Sequence, residues 1–234
     1  LLHHDFGVSL KTGRDVFDTI TTGMQVSAKL GLSAAAVAIA FGLVLGSVAA
    51  LNRGKVIDRI IVFFTTLATS APSFVLATLL LLVFSIQLGW VPAWSAQNPN
   101  YILPVISLSM YPMAYITRLT KTSMLDALNQ DYIRTARAKG LSEKKVIYHH
   151  AFRNTLIPLV TFIGGSLPGL FAGALITETL FAIPGIGYIS YNAMVAGDIP
   201  FSMFYMTFLA ILTLLGNLIS DILYAVVDPR VRIA

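Results

Sequence analysis

Five long apolar stretches limit this chain to folds that cross a lipid bilayer. They cover residues 27–50, 60–88, 102–124, 157–181 and 201–227. Each is near or above the roughly 20 residues that cross about 30 Å of hydrocarbon as a helix. Only 12% of the 234 residues are charged, against about 25% in an ordinary soluble domain. We therefore predict an all-α polytopic membrane protein with five visible membrane helices.

The basic residues predict how these helices are oriented. If all five stretches cross, the segments on one side hold 13 of the 16 Lys and Arg residues: Arg53, Lys55, Arg59, Arg118, Lys121, Arg134, Arg137, Lys139, Lys144, Lys145, Arg153, Arg230 and Arg232. Cytoplasmic loops are enriched in such residues, so that side is the cytoplasm and Leu1 lies outside. This placement accounts for most of the net charge of +5 without nucleic acid.

Three regions follow from this topology: an extracytoplasmic lead-in at residues 1–24, a transmembrane domain at 25–228 and a cytoplasmic tail at 229–234. Residues 182–200 are too polar to cross and too apolar for a free loop, which predicts a turn followed by a short helix at residues 188–196 on the outer surface. No Met begins the chain, and no apolar stretch precedes residue 24. We expect a sixth, N-terminal membrane helix to be missing from this sequence.

A polar, basic segment at residues 125–156, here called the elbow, predicts two short helices hinged at Gly140. A cation followed by glycine, Lys139-Gly140, is typical of a helix end. Ser142 followed by Glu143 is typical of a cap and a first turn. Apolar residues at helical spacing supply one face of each helix: Leu125, Leu128, Tyr132 and Ala136 in the first, and Val146, Ile147 and Ala151 in the second. Such an elbow suits binding by a partner in the aqueous phase.

Small residues spaced four apart predict close helix packing in two stretches. The first stretch carries Ala34, Ala38, Gly42, Gly46 and Ala50, and the fourth carries Gly165, Gly169 and Gly173 with Pro168 among them.

Hydroxyl groups in the second and third stretches are candidates for a transport pathway. Thr66, Thr69, Ser70 and Ser73 surround Pro72. They either satisfy the backbone carbonyl that the proline frees or line a wet path. Ser107, Tyr111 and Tyr115 lie four apart in a stretch with two prolines, Pro104 and Pro112. Such a helix bends more easily than a plain anchor and is a candidate pathway lining.

A carboxylate near the outer membrane interface, Glu178, has two interpretations. It is costly to bury without a partner, so it either caps the following turn by hydrogen bonds or takes part in gating. Pro184 and Gly185 form the predicted turn after it. Together with Pro72 and Glu178 they make up the set of structural or gating candidates.

Familiar catalytic chemistry is absent from the sequence. There is no cysteine and no GxxxxGK[ST], HExxH or GxSxG motif, so thiol chemistry and a phosphate-binding loop of that kind are excluded. All four histidines lie outside the apolar stretches. We therefore predict a protein that is not an enzyme and that binds no cofactor or metal.

Three separated motifs resemble one family. The elbow segment DYIRTARAKGL with HAFRNTLIP, the segment ITETLFAIPGIG and the closing DILYAVVDPRVR are similar to the oligopeptide, dipeptide and nickel branch of bacterial ABC importer permeases. Those permeases work with a substrate-binding protein. The family's pattern is Glu-Ala-Ala, three further residues and then Gly. It is matched here at Ala136 and Gly140 but not at Arg134 and Thr135.

The resemblance implies a type I ABC importer permease of the bacterial cytoplasmic membrane, with six helices per subunit. It implies a second homologous permease in a heterodimer, two cytoplasmic ATPases that hold ATP and Mg, and an extracytoplasmic peptide-binding protein. The elbow then corresponds to the coupling helix. Its ATPase-coupling residues are Arg134, Thr135, Ala136, Arg137, Ala138, Lys139, Gly140, Leu141 and Ser142, with the docking tip at residues 138–142.

Two other functions compete with a permease subunit. A stand-alone secondary transporter or channel needs ion-coupling acids near the midplane or an inverted repeat, and the sequence contains neither. A membrane-tethered nucleic-acid binder would use the elbow as a helix-turn-helix. The second elbow helix lacks side chains that read base edges, apart from Arg153 and Asn154 beside the membrane.

Overall fold

The computed structural model describes residues 6–156, 158–160, 162, 166 and 174–227, with the backbone alone at 220–221 and 223–227. The helices are α1 (Val16–Leu51), α2 (Val56–Ser70), α3 (Ser73–Leu80), α4 (Ile102–Leu128), α5 (Asp131–Ala138), α6 (Glu143–Lys145), α7 (Leu175–Leu180), α8 (Ile186–Val195) and α9 (Ile199–Val227). Wider π-helical turns extend α3 through Leu81–Gln87 and α6 through Val146–Ala151. Residues 152–156 and 158–160 are also helical. The predicted all-α fold is confirmed.

Three described helices are long and apolar enough to cross a membrane: α1, α4 and residues Ile199–Ile219 of α9. They coincide with the first, third and fifth predicted stretches. The second stretch passes the same test only as a broken pair, α2 with α3 and its π-helical extension. Much of the fourth stretch, including Gly165, Pro168, Gly169 and Gly173, lies outside the described residues.

The expectation of one continuous second helix is wrong. Helix α2 ends at Ser70, Ala71 is extended at φ −81° and ψ 136°, and α3 begins at Ser73. The cause is Pro72, because its ring disfavours helical geometry in the residue before it.

Helix α1 begins eleven residues before the first apolar stretch. The Asp15 carboxylate accepts a hydrogen bond from the Asp18 amide at 3.0 Å, as an N-cap residue does. The 36 residues of α1 span about 54 Å at 1.5 Å per residue, well beyond the roughly 30 Å of a hydrocarbon core. Part of the predicted lead-in is therefore helical.

The chain divides into two compact units, each with its own core. The first comprises Leu1–Ala35, Pro72–Leu108 and Ser166–Leu218, and the second comprises Ala36–Ala71, Ser109–Gly165 and Ile219–Ala234. Two apolar clusters fill the first unit: one of Val16, Ile20, Ile186, Phe201 and Tyr205, the other of Leu30, Ala77, Leu103, Phe181 and Ile183.

The small-residue ridge of α1 packs closely in the second unit, as predicted. A Cβ added at Gly42 would lie 2.6 Å from Ile116 Cγ2, and one added at Gly46 would lie 2.5 Å from Thr120 Cβ. Both neighbours are on α4. Ala38, Ile116 and Leu159 form the buried cluster beside this contact.

Candidate functional site

The elbow is joined to the membrane-spanning helix α4 by a turn of two residues. Helix α5 then runs to Ala138, and Gly140 adopts φ +74°, the left-handed geometry that glycine tolerates. The Gly140 amide donates to the Arg137 carbonyl at 2.9 Å, and the Leu141 amide donates to the Ala136 carbonyl at 3.4 Å. This pair of bonds is the Schellman motif. The predicted helix end at Lys139-Gly140 is confirmed.

A small apolar core holds the two elbow helices together. It consists of Ala127, Ile133, Ala136, Val146 and Ala151, with Leu128 and Leu141 packed against it. The π-helical turns place Val146 and Ala151 on the inner side of the second helix. The elbow is therefore a packed unit rather than a loop.

The predicted apolar face of the first elbow helix is wrong in detail. Its members were expected to follow one helix, but α4 ends at Leu128 and α5 begins at Asp131. The interruption shifts the buried face, so Ile133 is fully buried and Tyr132 is 40% exposed. Ala136 alone of the predicted face keeps its buried position on α5, at 5% exposure.

The second elbow helix begins where the sequence predicts, but without the expected cap. Ser142 precedes Glu143, and its side chain makes no capping hydrogen bond. Instead, Arg137 reaches across the hinge to Glu143, with Nη2 2.6 Å from Oε1 and Nε 3.2 Å from Oε2. These hydrogen bonds lower the pKa of the Glu143 carboxyl and raise that of the Arg137 guanidinium. The sequence signal for this pair was only a basic residue before the glycine and an acid after it.

The elbow tip presents a basic surface. Of the nine residues predicted to couple to an ATPase, Leu141 is half-buried, Ala136 is buried, and the other seven are exposed: Arg134, Thr135, Arg137, Ala138, Lys139, Gly140 and Ser142. Lys139, Lys144 and Lys145 form no ion pair with any described residue. A shallow cavity of about 310 Å³ lies beside the tip, lined by Tyr132, Thr135, Ala136, Lys139, Leu141 and His150.

The structure does not bring the candidate hydroxyls of the second stretch onto one helix. Thr66, Thr69 and Ser70 lie on α2, whereas Ser73 begins α3. The Thr69 hydroxyl donates to the carbonyls of Thr65 and Thr66, each at 3.1 Å, and neither is the carbonyl of Ala68, which Pro72 leaves without its helical donor. Thr66, Ser70 and Ser73 are exposed. Their part in a pathway remains a prediction.

The third-stretch candidates lie on α4, which continues through Pro112. The buried Ser107 hydroxyl donates to the Pro104 carbonyl at 2.9 Å. Tyr111 and Tyr115 are exposed, and the Tyr115 ring stacks on Phe162 with centroids 4.4 Å apart. The two tyrosines therefore remain the stronger pathway candidates of this helix.

Glu178 lies on α7 with 0% exposure and is hydrogen-bonded on both oxygens. Its Oε1 accepts from the Ser27 hydroxyl at 2.6 Å and the Ala174 amide at 3.0 Å, and its Oε2 accepts from the Tyr188 amide at 3.0 Å. Pro184 and Gly185 precede α8, which begins at Ile186, two residues before the short helix predicted from the sequence. A gating role for these residues remains a prediction.

Two long-range polar contacts have no signal in the sequence. Lys121 Nζ lies 2.5 Å from Asp58 Oδ1, and the Gly54 amide donates to Asp58 Oδ2 at 2.9 Å. The Ser9 hydroxyl donates to Asp198 Oδ2 at 2.5 Å. Both acids carry a partner far away in the chain, and local pattern cannot reveal such a partner.

Asp198 lies just before α9 and is buried at 1% exposure. Burial alone would raise the pKa of its carboxyl, but hydrogen bonds from the Ser9 hydroxyl and from the Phe201 and Leu10 amides outweigh burial and lower it.

Among the residues described, no group of three or more His, Asp or Glu side chains could hold a metal ion. The elbow and the long helices thus define a membrane protein with a packed, exposed elbow.

Comparison with solved structures identifies the class of this fold. The chain is similar to an amino acid ABC transporter solved with histidines, at a TM-score of 0.71 and 13% identity over 89% of this chain and 94% of that one. It is also similar to the inward-facing MetNI methionine ABC transporter, at a TM-score of 0.70 and 16% identity over 91% and 97%. The fold is therefore that of an ABC importer permease, as predicted.

The family follows from sequence. Residues 42–233 match the binding-protein-dependent transport system inner membrane component. The oligopeptide transport system permease protein OppB of Haemophilus influenzae is 40% identical over 97% of this chain and 76% of its own length. The dipeptide transport system permease protein DppB of Bacillus subtilis is 39% identical over 100% and 76%. The chain belongs to this family of inner-membrane transport subunits.

Proposed function

We propose that this chain is a pore-forming permease subunit of an ATP-driven importer, and that it moves di- and oligopeptides across the cytoplasmic membrane by alternating access. The family and the names of the relatives support this cargo class. ATP and Mg are bound by separate ATPase subunits, and this chain supplies the transport pathway and the elbow that contacts those subunits.

The elbow is the observation that carries this proposal. Its tip at residues 138–142 is mostly exposed, while a buried core and the Schellman motif hold its frame. Two features hold the shape of the tip: the Schellman hydrogen bonds around Gly140 and the Arg137–Glu143 pair that bridges the hinge. A rigid exposed projection is suited to receive a force from another protein.

The connection between the elbow and α4 suggests how that force reaches the membrane. Only residues 129 and 130 separate the two helices, and Ala127 of α4 belongs to the elbow core. A push on α5 is therefore delivered to α4 as a shift or rotation. ATP-driven closure of the ATPases would switch the pathway between outward and inward access through such a movement.

Charge favours an anionic surface on the partner. Lys139, Lys144 and Lys145 are exposed around the tip, whereas the neighbouring acids Asp131 and Glu143 are paired within the elbow. Anionic lipid headgroups would attract the same lysines, but such attraction needs neither the hinge nor the packed frame. We therefore assign the tip to the ATPase.

The complete importer would contain a second homologous permease, two ATPases and an extracytoplasmic peptide-binding protein. Peptide selection would lie largely with that external protein. The exposed Tyr111 and Tyr115 of α4 and the exposed hydroxyls of Thr66, Ser70 and Ser73 would line the path.

Crosslinking tests this function directly, because the chain contains no cysteine. In the co-expressed complex, Ser142→Cys should crosslink to an ATPase subunit, while the control Tyr191→Cys on α8 should not. Proteoliposomes with the complete complex should accumulate peptide only with ATP.

The contrary outcome is equally clear. If the folded complex gives no crosslink from residue 142 and the lone chain moves peptide without an ATPase, the chain is a stand-alone transporter.

A further inference from the structure

The buried Glu178 carboxylate is surrounded by hydrogen-bond donors. Two are backbone amides, of Ala174 and Tyr188, and the third is the Ser27 hydroxyl. The Ser27 oxygen in turn accepts from the Ile186 amide at 2.8 Å. Each oxygen of the Glu178 carboxyl group accepts from a backbone amide, so an amide side chain here would turn its NH2 group toward one of these donors.

These bonds cap α8 from elsewhere in the chain. The residue before α8 is Gly185, which has no side chain to cap the helix. Two amides of the first turn are instead satisfied from outside: Ile186 by Ser27 of α1, and Tyr188 by Glu178 of α7.

The contact of Glu178 and Ser27 with the first turn of α8 is here called the joint. It leaves no room for a side chain at residues 185 and 187. A Cβ added at Gly187 would lie 2.9 Å from Glu178 Oε2, and one added at Gly185 would lie closer still to the same carboxylate. Neither glycine has a positive φ, so each is needed for close approach rather than for conformation. The helix, the acid and the serine thus form one fitted contact.

Ser27 attaches this contact to a long helix. It lies on α1, and α1 is one uninterrupted helix that contributes residues to both units. Further along α1, Gly42 and Gly46 lie against α4, which leads to the elbow. The joint at Ser27 therefore attaches the first turn of α8 to α1.

We propose that Glu178 and Ser27 are positioning residues of the transport cycle, which fix the first turn of α8 to α1 so that the two move as one body. This inference rests on the proposed importer function. It assigns the buried acid to transmission of movement, and it assigns no contact between Glu178 and the transported solute.

The wild-type joint is tested by a distance measurement in the assembled complex with its ATPases. Spin labels are attached through Thr22→Cys on α1 and Tyr191→Cys on α8, both exposed positions. The distance distribution should be narrow and the same without nucleotide and after trapping with ATP and vanadate. A distribution that shifts between the two states would overturn the proposal.

Two variants then test the residues. Ser27→Ala and Glu178→Gln should broaden the distribution and lower peptide uptake per ATP hydrolysed several-fold. Ser33→Ala, at an exposed serine of the same helix, is the matched control and should change neither. If the Glu178→Gln complex does not assemble, the test relies on Ser27→Ala, which removes only the serine hydroxyl between Glu178 and Ile186. A narrow distribution with normal uptake per ATP in Ser27→Ala would overturn the proposal.

The same experiments separate this inference from the function on which it rests. Absence of ATP-dependent peptide uptake in the wild-type complex counts against the importer assignment. Normal wild-type uptake with a state-dependent distance counts against the joint alone.

Discussion

Glycine serves two different purposes in this chain, conformation and close approach. At Gly140 the requirement is conformational, since φ is +74° and no atom lies within 4 Å of an added Cβ. A local signal, the cation before the glycine, predicts that helix end. At Gly46 and Gly185 the requirement is space, because an added Cβ would meet Thr117 and Thr120 of α4 in the first case and Glu178 of α7 in the second.

The conformational role of Gly140 predicts an ordered series of variants. Gly140→Ala should raise the free energy of the folded elbow by about 1–2 kcal/mol, because alanine is strained in left-handed geometry. Gly140→Asn should raise it less, because Asn tolerates that geometry. Gly140→Pro should abolish ATP-dependent uptake, since proline holds φ near −65° and removes the amide that donates to Arg137. Uptake in proteoliposomes at equal protein insertion measures the order. Asn as damaging as Pro would show that the tip needs a bare backbone instead.

At the scale of the helix, hydropathy predicts that a membrane helix is present more accurately than it predicts where that helix begins and ends. The apolar stretches locate α1, α4 and α9, but the start of α1 depends on Asp15 and the break in the second stretch depends on Pro72. Asp15 and Pro72 are both visible in the sequence, but each changes the helix only within a few residues of its own position, which a count of apolar residues does not detect. The face of α5 was missed for a similar reason, because a two-residue turn resets the helical phase.

The ridge of α1 makes a prediction about helix packing. A Cβ at Gly46 would lie 2.6 Å from the Thr117 carbonyl oxygen as well as close to Thr120, and backbone cannot move aside cheaply. Gly46→Val should destabilise the purified chain by overpacking, by about 1–3 kcal/mol. Thermal unfolding in detergent measures the effect. Ala36→Val, on an exposed position of α1, is the control, and equal stability of the two variants would contradict close packing.

At the scale of the whole molecule, the long-range polar contacts lie beyond sequence reasoning. Ser27 and Glu178 are 151 positions apart, and Ser9 and Asp198 are 189 apart. The helices, the elbow and the hinge follow from local pattern, whereas the choice of partners depends on how the helices assemble. Glu178 shows this limit: the sequence marks it as costly to bury without identifying what surrounds it.

The charge asymmetry predicts the orientation of the whole chain, and labelling can test it. Lys144→Cys in the elbow should react with a membrane-impermeant maleimide only after cells are broken, whereas Lys11→Cys should react in intact spheroplasts. Both positions are exposed, so access across the membrane alone decides the result. Reaction of residue 144 from outside would reverse the topology and exclude the ATPase assignment.

The hydrogen bond between Ser9 and Asp198 can form only late in the synthesis of the chain. At about 5–20 residues per second, residue 198 leaves the ribosome roughly 10–40 s after residue 9, since 189 positions separate them. The segment around Ser9 cannot adopt its final place until the start of α9 has been translated. Maturation of this end of the protein is therefore a late event, and it is delayed by whatever slows insertion of the last helix.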